Sequence, residues 1–303
     1  MITIDKIIEI YCNIDDFCKD LSKTMKDHSI RQDNVKRLRN RVFRMTDSEV
    51  ITIMLLFHLG QFRNLKHFYL FYVKEHLCKE FPDAVSYNRF VELQRKAVFP
   101  MVLFLKLCCL GKCTGLSFID STPIRVCHTK REHYNKVFKG MAEKGKSTIG
   151  WFYGFKLHLV INDKGEILEF MLTQGNVDDR EPLKNKSFHD KIFGKLIGDK
   201  GYICQSLFEQ LFINGIHLMT KLRKNMKNCL ILMNDHILLR KRAVIECVND
   251  ELKNICQIEH TRHRSFDNFI TNLISGLIAY SFLDKKPSVN LDIIDNKYLA
   301  KCA

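Results

Sequence analysis

The sequence predicts an α/β protein: a mixed-sheet layer domain with flanking helices, preceded by an all-helical N-terminal region. Two observations carry this. Up to about residue 112 the apolar residues fall at helical spacing inside stretches closed by caps and Pro, whereas from Leu116 short strand-like runs alternate with helices. At 303 residues and 46% hydrophobic, the chain has the length for one large domain or two ordinary ones and the composition of a globular protein.

The elements follow in order. "TDSEVITIMLLFHLG" carries a capping box, Thr46 with Glu49 three residues on, and ends at Gly60. "NLKHFYLFYVKEHLCKEFP" is stopped by Pro82, and "SYNRFVELQRKAVFPMVLFLKLCCLG" has Pro100 as a break or kink. Ahead of them, Lys23 to Arg44 holds eight Lys/Arg against two Asp. Short helices with a basic approach fit a helix-turn-helix-like DNA-binding head; a helical bundle with a solvated basic face fits as well. Next come "LSFIDSTPIRV", "GFKLHLVIND" and "EILEFMLTQGN", a meander whose last turn is marked by Gly165. "VDDREPLKNKSFHDKI" reads as a helix, "KLIGD" as a buried strand, "YICQSLFEQLFING" as a helix and "IHLMTKLR" as a strand. Two helices follow, "RKRAVIECVNDELKN" and "SFDNFITNLISGLIAYSFL". The expected division is 1–112 helical, 113–284 α/β, and 285–303 a polar tail, with no internal repeat.

Composition limits the partners. Lys plus Arg is 48 and Asp plus Glu 34, a net charge of +14. Nucleic acid or another anionic surface is the first expectation, and a basic surface with no polyanionic partner the alternative. The N-terminal apolar run holds acids and lacks the layout of a signal peptide. "FITNLISGLIAYSFL", at 15 residues, falls short of the roughly 20 of a membrane span, so a buried helix and no membrane partner are expected. Twelve cysteines include no CxxC pair, and Cys108, Cys109 and Cys113 lack zinc-finger spacing. They read as reduced thiols, many of them small core residues, in a cytoplasmic protein.

Three carboxylates stand out by position. Asp120 closes the apolar run "LSFID", Asp199 closes "KLIGD", and Glu246 sits on a helix whose apolar stripe is Ile245, Val248, Leu252 and Ile255. Functional groups in α/β sheets gather where strands end. If the two strands are parallel neighbours, Asp120 and Asp199 share one edge and a crossing helix adds Glu246. Bare carboxylates about 4 Å apart repel by several kcal/mol, which a divalent metal removes; oxygen-only ligands suit Mg2+ or Mn2+, and two such ions serve in-line phosphoryl displacement. Each acid also has an ordinary explanation. Asp120 can be a turn or cap residue, Asp199 the cap of a helix starting near Tyr202, and Glu246 the partner of Arg242 at i−4.

"FIDSTPI", "GDKGY" and the R-x3-E-x6-K spacing of Arg242, Glu246 and Lys253 resemble the Asp-Asp-Glu triad blocks of bacterial insertion-sequence transposases, members of the ribonuclease-H-like, retroviral-integrase superfamily. "GWFYGFKLHLVIN", "TQGNVDDR", "IEHTRHRSFDNF" and "FPDAVSYNRFVEL" are similar to blocks of its insertion sequence nine-eighty-two branch. The resemblance spans about Thr46 to Leu283. It implies a ribonuclease-H-like catalytic domain in which Asp120, Asp199 and Glu246 hold two Mg2+ ions, with Mn2+ a possible substitute. It also implies a transposase that cleaves DNA at the element's terminal inverted repeats and transfers the strand to target DNA. Leu239 departs from the Tyr that related branches carry three residues before the Arg. A homodimer is expected from the reaction, which brings two ends together. A transposase-derived DNA-binding protein without cleavage, or a metal-dependent nuclease without strand transfer, are the alternatives.

The candidate DNA contacts are basic. Lys156 and His158 share one face of their strand, facing phosphate or plain solvent. Lys221, Arg223 and Lys224 follow the last strand, Arg242 and Lys253 flank Glu246, and Arg262 and Arg264 precede a helix start, where cations are unfavoured without an anionic partner. Asp178 or Asp179 reads as a helix N-cap. "HTKREHYNKVFKGMAEKGK" reads as a basic loop able to track a DNA backbone.

Overall fold

A computed structural model of the chain describes residues 2–27, 44–148, 150–222, 226, 230–259, 263–290 and 299–301. In chain order the helices are α1 (Ile4–Asp27), α2 (Asp47–Leu59), α3 (Leu65–His67), α4 (Tyr87–Phe104), α5 (Glu181–Lys184), α6 (Lys186–His189), α7 (Gln205–Ile213), α8 (Met233–Lys241), α9 (Ala243–Asn254) and α10 (Phe266–Ser281). The strands are β1 (Leu116–Cys127), β2 (Glu143–Ser147), β3 (Gly150–Asn162), β4 (Ile167–Gln174), β5 (Gly194–Gly198), β6 (Ile216–Thr220), β7 (Leu230–Leu232) and β8 (Leu299–Lys301). The fold class is the one the sequence predicts. No helix among the described residues is long and apolar enough to cross a membrane.

Two compact units divide the chain: Met1–Cys109 with Asn254–Phe282, and Leu110–Lys253 with Leu283–Ala303. The first is helical. Its α2 starts at the expected capping box: Thr46 Oγ1 accepts from the Glu49 N–H at 3.2 Å, and Glu49 Oε2 accepts from the Thr46 N–H at 2.7 Å. Every residue from Val50 to His58 is buried, as befits a helix apolar all round. Pro100 does not break α4. The helix runs through it to Phe104 with Ala97, Pro100 and Met101 buried, then widens into a π-helical turn over Leu105–Cys109. Burial on the core side outweighs the local cost of the proline.

The last helix departs from expectation. α10 belongs with the N-terminal helices, not with the sheet. Its residues Phe269 and Thr271 to Tyr280 are buried, and His58 of α2 ties it in. His58 Nδ1 is 2.5 Å from the Cys256 carbonyl and Nε2 2.8 Å from Ser275 Oγ. The basic approach lies mostly in residues 28–43, outside the described residues.

The second unit is built on one mixed sheet in the order β2-β3-β1-β5-β6, with β4 also pairing β3. β1 pairs β3 antiparallel and β5 parallel, and β5 pairs β6 parallel. Gly165 makes the β3–β4 turn at φ +75°, a conformation side chains avoid. Ile119, Val160, Leu168, Leu183, Leu196 and Leu207 form the core on one face. Ile245, Val248 and Leu252 of α9 are fully buried, as their stripe predicts, whereas Ile255 lies beyond the helix and is half-buried.

Four local expectations change. β1 runs on past Asp120 to Cys127, because β3 keeps pairing with it after β5 stops. The presumed basic loop after β1 folds in part: Thr129–Tyr134 is a 3-10 turn and Glu143–Ser147 is β2. The helix expected after β4 splits into α5 and α6, where Asn185 ends the first and its side chain caps the second. Among the described cysteines, all free, only Cys256 is buried, so most are not core residues. In the tail, Val289 N–H donates to the Asp163 carbonyl at 2.8 Å and β8 pairs β7.

Candidate active site

The sheet register brings the two aspartates level. β1 and β5 are parallel neighbours, with Phe118 opposite Ile197. Continued two residues along each strand, the same register sets Asp120 beside Asp199. Ile119 points into the core cluster, so Asp120 points to the other face. There α9 meets it: Asn249 Nδ2 donates to Asp120 Oδ2 at 3.1 Å.

Arg242, between α8 and α9, spans two acids. Its Nη2 is 2.5 Å from Glu246 Oε1, and its Nη1 is 3.5 Å from Asp120 Oδ1. The second contact is an ion pair without hydrogen-bond geometry, and Nη1 is buried with no hydrogen-bond partner among the described residues. The Asp120 carboxyl is pushed up to about 6. Burial is the largest cause; Arg242 and the Ser121 backbone oppose it, while the charges of Glu246 and Asp199 add to it. The three carboxylates therefore share one electrostatic neighbourhood. Asp199 and Glu246 are exposed and Asp120 is half-buried.

The ordinary explanations fare unevenly. The Asp199 side chain makes no cap hydrogen bond, and the next α-helix starts at Gln205, not near Tyr202. Glu246 does pair with Arg242 as the spacing allows. Asp120 is a mid-strand residue, not a turn residue.

Among the described residues no three His, Cys, Asp or Glu side chains stand close enough to hold a metal ion. Arg242 is the cation that separates Asp120 from Glu246 here. The donor chemistry nonetheless suits a hard divalent ion: oxygen donors only, three carboxylates whose charges act on one another, and the Oδ1 of buried Asn249 without a hydrogen-bond partner among the described residues.

Behind Asp120 lies a second polar group. Asp179 Oδ1 accepts from Ser121 Oγ at 2.8 Å and from Lys156 Nζ at 2.9 Å. Lys156 also donates to the Val177 carbonyl at 2.8 Å. Asp179 is thus an anchor for β1 and β3 instead of a helix cap. Asp178 turns to Arg180, whose guanidinium holds its carboxyl well below the usual range, and it caps no helix either. The Tyr202 hydroxyl is buried without a partner among the described residues; burial, then the charges of Asp120 and Asp179, raise its pKa.

Neither expectation for His158 holds. Its ring is fully buried, Nε2 lies 2.8 Å from Thr173 Oγ1, and burial lowers its pKa to about 4, so it offers neither a cation nor a surface to phosphate. Lys156 is mostly buried in its pair with Asp179. Lys221 and Arg264 are exposed, Lys253 is half-buried at the end of α9, and Arg223, Lys224 and Arg262 lie outside the described residues. Asn249 and Tyr202 belong to the site by contact and charge, without a sequence motif of their own. Helical spacing from Glu246 allows either Asn249 or Asp250 beside it, and only the packing of α9 selects Asn249.

Comparison with known proteins adds the family. No curated protein matches the chain. Among solved structures it is similar to the piggyBac transposase in a synaptic complex with hairpin DNA, at 11% sequence identity and a TM-score of 0.49, over 90% of this chain and 70% of that one. A family model described as a transposase DDE domain matches residues 110–266, which takes in Asp120, Asp199 and Glu246. The chain therefore belongs to the DDE transposase family.

Proposed function

We propose that the chain is a DNA transposase that cleaves a phosphodiester at the ends of its element, an insertion sequence of the nine-eighty-two branch, and joins the freed 3′-hydroxyl to target DNA. The observation that carries this is the parallel pairing of β1 with β5 up to Phe118 opposite Ile197, two residues before Asp120 and Asp199, with α9 bonded to Asp120 through Asn249 and carrying Glu246. Asp120, Asp199 and Glu246 would hold Mg2+, or Mn2+ in its place. A bound divalent ion supplies charge stabilisation at the attacking and leaving oxygens of an in-line displacement. The chain's own residues do the rest. Asn249 and the Ser121–Asp179–Lys156 group fix β1 so that the Asp120 carboxylate stays aimed across the sheet edge. Arg242 balances Asp120 and Glu246, and Lys253 would meet substrate phosphate. Lys221 and Arg264 offer exposed cations to terminal-repeat and target DNA. The protein acts as a homodimer in the cytoplasm, since two ends are joined in one event.

The test is a cleavage and joining assay on the element's terminal repeats. Asp120→Asn keeps the side-chain shape and removes the charge. It is expected to leave DNA affinity within a few-fold and to lower Mg2+-dependent cleavage by at least about 100-fold; chelator should do the same to the unaltered protein. Normal nicking by Asp120→Asn overturns the assignment of Asp120, and cleavage without joined products reduces the activity to that of a nuclease.

A further inference from the structure

Trp151 is the chain's one tryptophan, and it stands 61% exposed at the start of β3. The hairpin holds it in place. On β2, Lys146 is its direct cross-strand partner, and the Nζ atoms of Lys144 and Lys146 lie 5.8 and 5.9 Å from its ring centre. The next residue, Phe152, is buried on the opposite face, and the Tyr153 hydroxyl donates to the Phe138 carbonyl at 3.2 Å. A Cβ at Gly145 would meet the Gly175 carbonyl oxygen at 2.1 Å, so β2 lies tight against the chain beneath it. The indole is displayed on a fixed ribbon, in contact with water.

Its surroundings are cationic. Between His128 and Ser147 there are six Lys/Arg and two Glu, and all six cations are exposed. Of the two acids, Glu132 is paired with Lys144 at 3.6 Å, and Glu143 alternates onto the other face of β2. Tyr134, 83% exposed, adds a second aromatic ring to the same stretch. Exposed rings among cations suit a base with its phosphates: the ring stacks and the ammoniums meet the backbone. A protein–protein core is depleted of charge, and two copies of this face would repel. Within a duplex the base faces are already stacked, so the occupant is an unpaired base. Asp120 lies opposite Leu159, eight residues along β3 from Trp151 and so roughly 26 Å at about 3.3 Å per residue.

We propose that Trp151, flanked by Lys144 and Lys146, is a stacking platform for an unpaired base of the DNA substrate, several nucleotides from the phosphodiester at Asp120. This rests on the assignment of the chain as a DNA transposase. Because Trp151 is the only tryptophan, its emission reports on this site alone. The full chain is titrated with a fluorophore-labelled blunt duplex, with the same duplex carrying a single-stranded tail, and with oligothymidylate. Indole emission is expected to be quenched by the two probes with unpaired bases and little changed by the blunt duplex. Trp151→Ala should weaken tailed and single-stranded DNA by about 5- to 100-fold and leave the blunt duplex within two-fold, while Trp151→Phe recovers most of the loss. Equal loss on all three probes, unchanged emission when anisotropy shows tailed DNA bound, or Trp151-dependent self-association without DNA each overturns the platform. If no probe binds, the DNA assignment itself fails; if all bind without Trp151, only the platform does.

Discussion

Asp120 and His158 stand on neighbouring strands and show how burial treats opposite charges. Each is shifted toward its neutral form by its setting: the Asp120 carboxyl is pushed up to about 6 and the His158 ring is lowered to about 4. Burial is the first cause of both, because it penalises whichever form is charged. For His158 the consequence for stability has a definite sign. The unfolded ring titrates near its ordinary 6.5, so between about 6.5 and about 4 the unfolded chain binds more protons than the folded one. Stability from this group is therefore present above 6.5, is lost as pH falls through that window, and amounts to about 3 kcal/mol in full. Urea unfolding of the unaltered chain and of His158→Gln at pH 7 and pH 4.5 checks this. The difference between the two chains should shrink or reverse at the lower pH, and a constant difference would show that the ring is not held neutral.

At the scale of elements, the helices do different jobs with similar sequence patterns. α9 buries one apolar stripe and uses the adjacent line of Glu246 and Asn249 at the site. α10 is buried on nearly all sides and serves the helical unit. Its link to α2 runs through a buried imidazole. The Cys256 carbonyl can only accept, so Nδ1 carries a proton; Nε2 meets the Ser275 hydroxyl, which also donates to the Asn272 carbonyl at 3.0 Å. Ser275→Ala removes the buried hydroxyl that bonds both His58 Nε2 and the Asn272 carbonyl, and is expected to lower the stability of the helical unit by about 1–3 kcal/mol in denaturant unfolding. Cleavage per folded molecule should be unchanged. Gly154 has a different constraint: a Cβ there would meet the Ile124 carbonyl oxygen at 2.1 Å, which is why β1 and β3 approach so closely just before their register shifts.

Over the whole chain the net charge of +14 suits a polyanionic partner, which on the proposed function is DNA. If about six phosphates are neutralised on binding, affinity for duplex DNA should fall roughly 1000-fold between 50 and 200 mM salt. Affinity that stays flat over that range would remove the basic stretches from the contact. His158, Lys156 and Arg242 contribute little to that count in the structure, because one is buried and neutral and the other two are held in ion pairs. The exposed cations lie elsewhere, including the stretch from His128 to Ser147, which includes β2.

The sequence by itself determined the change from helices to alternating strands and helices, the capping box of α2, the apolar stripe of α9, and an aspartate on β1, another just past β5 and a glutamate on α9. These are local: periodicity, cap chemistry and strand length are written within a few residues of one another. Only the tertiary structure decided what depends on distant pairings. It put α10 with the N-terminal helices, carried α4 through Pro100, extended β1 past Asp120, and folded the basic stretch into a hairpin that displays Trp151. It also turned His158 inward and gave Asp179 to Ser121 and Lys156 instead of to a helix end. In each case burial and a partner many residues away outweighed a local preference worth at most a few kcal/mol.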